Sequence, residues 1–161
     1  MPYNESMGER LAVVACYAPR QVDTAASTLY SGVVDMDVFR RAMVIAVGNA
    51  EGGTAMVKGL TVTLMDCDAS GTAASTAFYT SAVTRVSGTA GEYSIVVAEC
   101  KAEDLGQYGA GLNVRGRYFK AGLTTSTNVL NTYTIVVLGS DCRYGPANAY
   151  DQSEVKSIGQ E

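Results

Sequence analysis

The sequence predicts an all-β protein: an antiparallel, jelly-roll-like β-sandwich of seven or eight strands with one short helical turn and extended termini. Three observations carry this expectation. Short β-prone stretches recur between clusters of Gly, Ser, Asn and Asp, apolar and polar residues alternate within several of them, and a single brief run has helical character. A chain of 161 residues fits one domain, and a domain of this size buries roughly two-thirds of its unfolded surface, so neither metal nor disulfide is needed to hold it.

In chain order, Met1 to Ser27 is heterogeneous, with Pro2 and Pro19 as breakers and the small-residue run 23–27 as a turn or linker. These residues, 1–27, read as an N-terminal arm. Within it Leu11 to Tyr17 is apolar enough to pair with the edge of its own domain or with a neighbouring subunit. The sandwich domain is expected over 28–146. Tyr30, Gly32, Val34 and Met36 alternate against Ser31, Val33 and Asp35, and Phe39 to Val47 ends in the apolar run Met43 to Val47, as a strand covered on both faces would. The turn at Glu51-Gly52-Gly53 precedes the cleanest strand, with Leu60, Val62 and Leu64 on one face, Thr61 and Thr63 on the other, and Gly59 as a possible bulge. Phe78 to Val86 is next, then Tyr93, Ile95 and Val97.

Lys101 to Leu105 is the helical turn, ended by Gly106. Leu112, Val114 and Tyr118 then alternate with Asn113, Arg115 and Arg117, a strand with an inward apolar face and a basic outward one. The last strand, Asn131 to Leu138, sets Tyr133, Ile135 and Val137 against Val136 and Leu138. Residues 147–161 read as a polar C-terminal tail. No period repeats along the chain, which removes solenoids and propellers.

Apolar residues make up 47% and charged residues only 17%, so much of the surface falls to Ala, Gly, Ser and Thr, a surface suited to lasting contact with other chains. The net charge is −4 and the basic residues are scattered, which points away from nucleic acid. No window approaches the ~18 apolar residues of a membrane span, and the polar start lacks the order of a secretory signal. No membrane is expected as a partner, and synthesis is expected in the cytoplasm. Four cysteines, Cys16, Cys67, Cys100 and Cys142, are widely spaced without a C-x-x-C pair. They read as reduced thiols filling apolar sites rather than as zinc ligands.

Histidine is absent from the whole chain. That removes the Ser-His-Asp triad, the Cys-His dyad, His-ligated zinc and the His general base. The remaining carboxylate pairs, Asp35 with Asp37 and Glu103 with Asp104, are close in sequence, whereas a glycosidase needs carboxylates facing each other across a cleft. They read as turn and cap residues. Asp66 to Gly71 opens like a calcium loop, but Ala77 stands where the twelfth-position Glu is required, so an Asx-type turn is expected. Gly106, Gly109 and Gly111 lead into a strand, the reverse of a phosphate-cradling loop. No catalytic residue, metal or cofactor is therefore expected, and the chain reads as a non-enzyme. The candidate functional residues are protein-contact ones: Leu11, Val13 and Tyr17 in the arm, Arg115 and Arg117 beside Lys120 on a strand face, and Tyr144 and Tyr150 near the end.

Leu29-Tyr30-Ser31-Gly32-Val33-Val34-Asp35-Met36 followed by Phe39-Arg40-Arg41 resembles the opening of the small decoration, or cement, proteins of tailed bacteriophages. The likeness continues through Ala98 to Leu105 and through Val136-Val137-Leu138-Gly139 to Arg143-Tyr144-Gly145-Pro146-Ala147, and so touches most of Leu29 to Ala147. The resemblance implies a structural virion protein without catalysis, made in the host cytoplasm. It would bind the outside of a phage capsid and bridge neighbouring subunits of the major capsid protein as a homo-oligomer, a trimer or a dimer. A competing reading is a tail, baseplate or head-fibre sandwich that binds a host-surface glycan or another virion protein. With no Trp and three Phe, the chain is poorly supplied with the aromatic platforms that sugar stacking needs.

Overall fold

The computed structural model describes residues 10–22, 28–50, 58–73, 76–85, 93–106, 116–125 and 131–143. Arg115, Tyr144, Tyr150 and the tail 147–161 lie outside the described residues. The strands are β1 (Leu11–Val22), β2 (Thr28–Tyr30), β3 (Val34–Asp35), β4 (Phe39–Ala50), β5 (Lys58–Cys67), β6 (Tyr79–Arg85), β7 (Tyr93–Lys101), β8 (Tyr118–Thr125) and β9 (Asn131–Cys142), with a 3-10 turn at Ala102–Asp104 after β7. One sheet runs β1-β9-β4-β7; the other runs β2-β8-β5-β6, with β3 also on β8. All pairings are antiparallel.

Because β2 and β3 pair with successive stretches of β8, they act as one interrupted strand. Counted so, the two sheets have the strand orders 1-8-3-6 and 2-7-4-5, the two interlocked Greek keys of a jelly roll. The expected fold class therefore holds, in its jelly-roll form.

Between the sheets, small and large side chains share one core. Ala15, Ala42, Ala46 and Ala98 come from the first sheet, and Leu60, Leu64, Phe119 and Leu123 from the second, all in one buried cluster. Alternating small with large lets two twisted sheets interdigitate without voids. Phe119 is fully buried and meets Phe78 edge to face, with ring centroids 6.4 Å apart at 77°.

Several sequence expectations change. Of the two partners expected for the apolar part of the arm, Leu11 to Tyr17, it takes the edge of its own domain and so joins the sandwich: β1 lies along β9 from Leu11↔Ser140 to Val22↔Asn131 and puts Ala12 and Ala15 into the interior. Pro19 is accommodated because β1 is an edge strand and the ladder shifts register between Tyr17 and Arg20. The stretch from Tyr30 to Met36 is broken rather than continuous: Ser31 turns inward, where its hydroxyl accepts a hydrogen bond from the Ala121 N–H at 3.0 Å, and the alternation restarts at Val34. Gly59 sits in an unshifted ladder opposite Thr84, so there is no bulge there. On β8 the interior row is Phe119, Ala121 and Leu123, one residue out of phase with the expected inward Tyr118. The run Met43 to Val47 is not covered on both faces: Ala42, Val44 and Ala46 are buried, while Met43 is 41% exposed.

A candidate interaction surface

The outer face of the β1-β9-β4-β7 sheet is built from apolar side chains in register. In its middle row Cys16 on β1, Val136 on β9, Ile45 on β4 and Val97 on β7 stand opposite one another. One row towards Leu11, Val13, Leu138 and Met43 are aligned, and the row ends in Glu99. One row the other way, Thr134, Val47 and Ile95 line up. Cross-strand partners project to the same side of a sheet, so these rows form one continuous patch. Ile95 and Val97 are the most open large apolar residues described, at 62% and 54% exposure. The inward faces of the same strands already carry Val96, Ala98, Ile135 and Val137. The sheet is thus apolar on both sides, and only the inner side is covered within the described chain.

Beyond the Met43 row the patch ends in charge. Arg41 reaches Glu99 at 3.7 Å and Asp141 at 3.5 Å, and Lys101 reaches Glu103 at 3.6 Å. Arg40 and Arg143 join them around an open depression of about 330 Å3. A neighbouring depression of about 290 Å3 lies between Met36, Asp37, Ala102, Gly116, Arg117 and Arg143. Among the described residues the first is lined by the carboxylates Glu103 and Asp141, each beside a cation, and the second by Asp37. Arg117 takes Asp35 in a fork, Nε to Oδ1 at 2.8 Å and Nη2 to Oδ2 at 2.6 Å, and Oδ1 also accepts the Asp37 N–H at 2.9 Å. Partial burial works to raise the Asp35 pKa, but the hydrogen bonds from Arg117 and the Asp37 amide outweigh it and hold the carboxyl below its ordinary value. A carboxylate held ionised in this way cannot serve as a general acid near neutral pH.

No protein-family model matches the sequence. A search of curated proteins finds no match. Among solved structures, a chain from "Structure of infectious bursal disease virus Gx strain" superposes with a TM-score of 0.42 and 15% identity, over 86% of this chain and 33% of that one. The present chain spans about a third of that chain's length, and a likeness at this score carries no argument about function.

At the calcium-like loop, the Asp68 carboxylate accepts hydrogen bonds from the Ser70 N–H, the Ser70 hydroxyl and the Thr72 N–H at 2.9, 2.6 and 2.8 Å. Gly71 adopts φ +86°, and its carbonyl accepts from the Lys120 ammonium at 2.6 Å. This is the expected Asx-type turn, closed by a side-chain cation. Asp66 points elsewhere, into the interior, and accepts the Gly106 N–H at 3.1 Å. The loop therefore does not converge its oxygens on one point.

The interface residues singled out from sequence are dispersed. Val13 lies on the apolar outer face, and Leu11 stands opposite Ser140 at its charged end. Tyr17 instead packs on the interior cluster. Arg117 is engaged by Asp35 and stacks on Tyr118 at 5.0 Å, and Lys120 covers the Tyr30 ring at 4.0 Å, so neither is an idle cation awaiting a partner. Sequence reasoning missed the central residues of the patch: Met43, Ile45, Ile95, Val97, Val136 and Leu138. The signal was present in the two-sided apolar runs of β4 and β9, but such a run does not reveal whether the second face is covered by the same chain.

Proposed function

We propose that this protein is a non-catalytic structural component of a virion, which binds the outside of a phage capsid and cements neighbouring capsid subunits. The observation that carries the reading is the apolar outer face of the β1-β9-β4-β7 sheet, with Ile95 and Val97 more than half exposed. Contiguous apolar area of this kind marks a protein contact surface. Three further features support it. The jelly roll is a fold used by viral capsid domains, although also by lectins; histidine is absent; and the sequence resembles phage decoration proteins. On this reading the chain is made in the host cytoplasm and resides on the capsid surface as a homo-oligomer, a dimer or trimer. Its main partner is the major capsid protein.

The mechanism is distributed contact. Each copy bridges two or more capsid chains, and many modest contacts add up through multivalency. Leu11 and Ser140 are paired beside Arg41, so residues 1–9 and 144–161 attach at one end of the sandwich, the charged end. That end is suited to the lattice. A glycan-binding role has less support, since Tyr30 and Tyr79, the exposed large aromatic residues among those described, stand on β2 and β6 at opposite edges of their sheet.

The test is to mix the purified protein with undecorated phage heads. Saturable, stoichiometric cosedimentation together with a raised temperature of head disruption is expected; absence of binding to every capsid lattice tried rules the proposal out. Removing residues 1–9 or 144–161 should weaken binding while leaving the sandwich folded.

A further inference from the structure

We infer that the open depression at the charged end of the sandwich is a carboxylate-binding site, and that its occupant is the acidic segment 144–161 of the same chain, docked through Asp151 and Glu154. The contact lies within one chain, so it stands whether or not the protein binds a capsid. The depression of about 330 Å3 is lined by four cations, Arg40, Arg41, Lys101 and Arg143, and by two carboxylates, Glu103 and Asp141. Glu99 meets Arg41 from outside this lining, and Asp104 is taken up by the Lys101 N–H at 2.9 Å. Arg41 and Lys101 stand 3.5 to 3.7 Å from their carboxylates, beyond the ~2.7–2.9 Å of a charge-assisted hydrogen bond. Exposed Arg40 and Arg143 pair with no carboxylate among the described residues. By contrast, Arg117 forks Asp35, and the Lys120 ammonium meets the Gly71 carbonyl at 2.6 Å. The depression thus has guanidinium donors to spare, and Glu103 and Asp141 in its wall favour single carboxylates over a polyanion.

The distribution of charge along the chain points to the occupant. Residues 1–9 hold Glu5 and Glu9 without a cation, and 144–161 hold Asp151, Glu154 and Glu161 against Lys156. These two segments therefore carry the whole net charge of −4, and residues 10–143 are neutral. Both segments attach at the charged end, but β1 is the edge strand farthest from β7, whereas 144–161 follow directly on Arg143, which lines the depression. Gly145-Pro146 favours a chain reversal at that point, and the eight residues from Arg143 to Asp151 reach at most ~27 Å. Tethering over so short a stretch gives an effective concentration in the millimolar range, which favours the chain's own segment over that of another copy at micromolar concentration. Tyr144 and Tyr150 supply rings of the kind that stack on guanidinium planes, while Val155 and Ile158 lie beyond the two docking carboxylates.

Zero-length carbodiimide cross-linking of the full chain, read by peptide mass spectrometry, tests the contact, because the reagent joins a carboxylate to a lysine that touches it. Lys101, in the lining of the depression, should link to Asp151 or Glu154. Lys120, on the other sheet with its ammonium at the Gly71 carbonyl, should link to neither. The Lys101–Glu103 pair, 3.6 Å apart, is the internal standard. Against it, the link to 144–161 should fall roughly threefold or more in the double variant Arg40→Gln, Arg143→Gln, which adds no carboxylate of its own. Salt at about 0.5 M should lower the link in the same way without any variant, since screening there leaves only the closest charges in contact. An equal mixture of isotope-labelled and unlabelled protein at low micromolar concentration should give links within one isotope only. Absence of a link from Lys101 to residues 144–161, or a yield indifferent to both salt and the double variant, overturns the inference. So do links from Lys101 to Glu5 or Glu9 in their place, which assign the depression to residues 1–9, and links between isotopes, which assign it to a neighbouring copy.

Discussion

Arg117 and Asp35 tie the start of β8 to β3 across 82 residues of chain, with two hydrogen bonds. Because the Asp35 pKa is depressed in the folded protein, its contribution is complete above the ordinary carboxylate pKa of about 3.9 and is lost as pH falls through the lower folded value. Asp35→Asn should therefore cost on the order of 1 kcal/mol at pH 7. The difference from the wild type should shrink in acid, below about pH 4, when both are unfolded by urea across a pH series. Thiol chemistry separates the cysteines in a similar way. Burial pushes Cys67 up to about 11 and Cys100, also near Asp104 and Asp66, up to about 12. A disulfide reagent at mildly alkaline pH should label exposed Cys16 in the native protein and reach Cys67 and Cys100 only on unfolding; rapid native labelling of either would contradict their placement. Close approach explains Gly48, where an added Cβ would lie 2.8 Å from the Tyr133 ring across the ladder. Gly48→Ala should destabilise by about 1–3 kcal/mol, measured by thermal unfolding.

Among the elements, β4 shows how far sequence patterning reaches. Its existence was legible from Phe39 to Val47, and β5 was legible down to the inward residue, because Leu60, Val62 and Leu64 alternate with Thr61 and Thr63, while on β9 the strand was legible but its inward face was not. Where both parities are apolar the phase is ambiguous. On β7 the residues Ile95 and Val97 carry the larger side chains, yet Val96, Ala98 and Cys100 are the ones buried. On β8, Tyr118 and Phe119 are adjacent aromatics, and Phe119 goes in with Ala121 and Leu123 and meets Phe78. Two substitutions test these phases by equilibrium unfolding. Phe119→Ala should cost about 3–5 kcal/mol as a core truncation, whereas Val97→Glu should leave stability within about 0.5 kcal/mol, as an outward position on an edge strand does. A large loss in the second would place Val97 inside. β1 was legible only as an apolar stretch, Leu11 to Tyr17, able to pair with an edge, and its continuation to Val22 was not. Its proline and its register shifts are tolerable only on an edge, and edge position is a property of the sheet rather than of the segment.

At the scale of the whole molecule, the sandwich class followed from strand spacing, while the jelly-roll strand order arises from long-range pairings, β1 with β9 and β4 with β7, that no local pattern encodes. The same holds for the surface. Its rows combine residues from four strands, and the apolar patch exists only once these are in register. The interior of the sandwich uses one side of each sheet, which leaves the outer side of β1-β9-β4-β7 as an apolar face open among the described residues, and on the proposed function contact with other virion chains covers it. Electron cryo-microscopy of phage heads saturated with this protein tests that claim most directly. The expected result is density for this jelly roll outside the shell, with the face bearing Ile45, Ile95 and Val97 covered by another protein chain. Heads that carry no such density, or bound copies whose β1-β9-β4-β7 face looks into solvent, would contradict it.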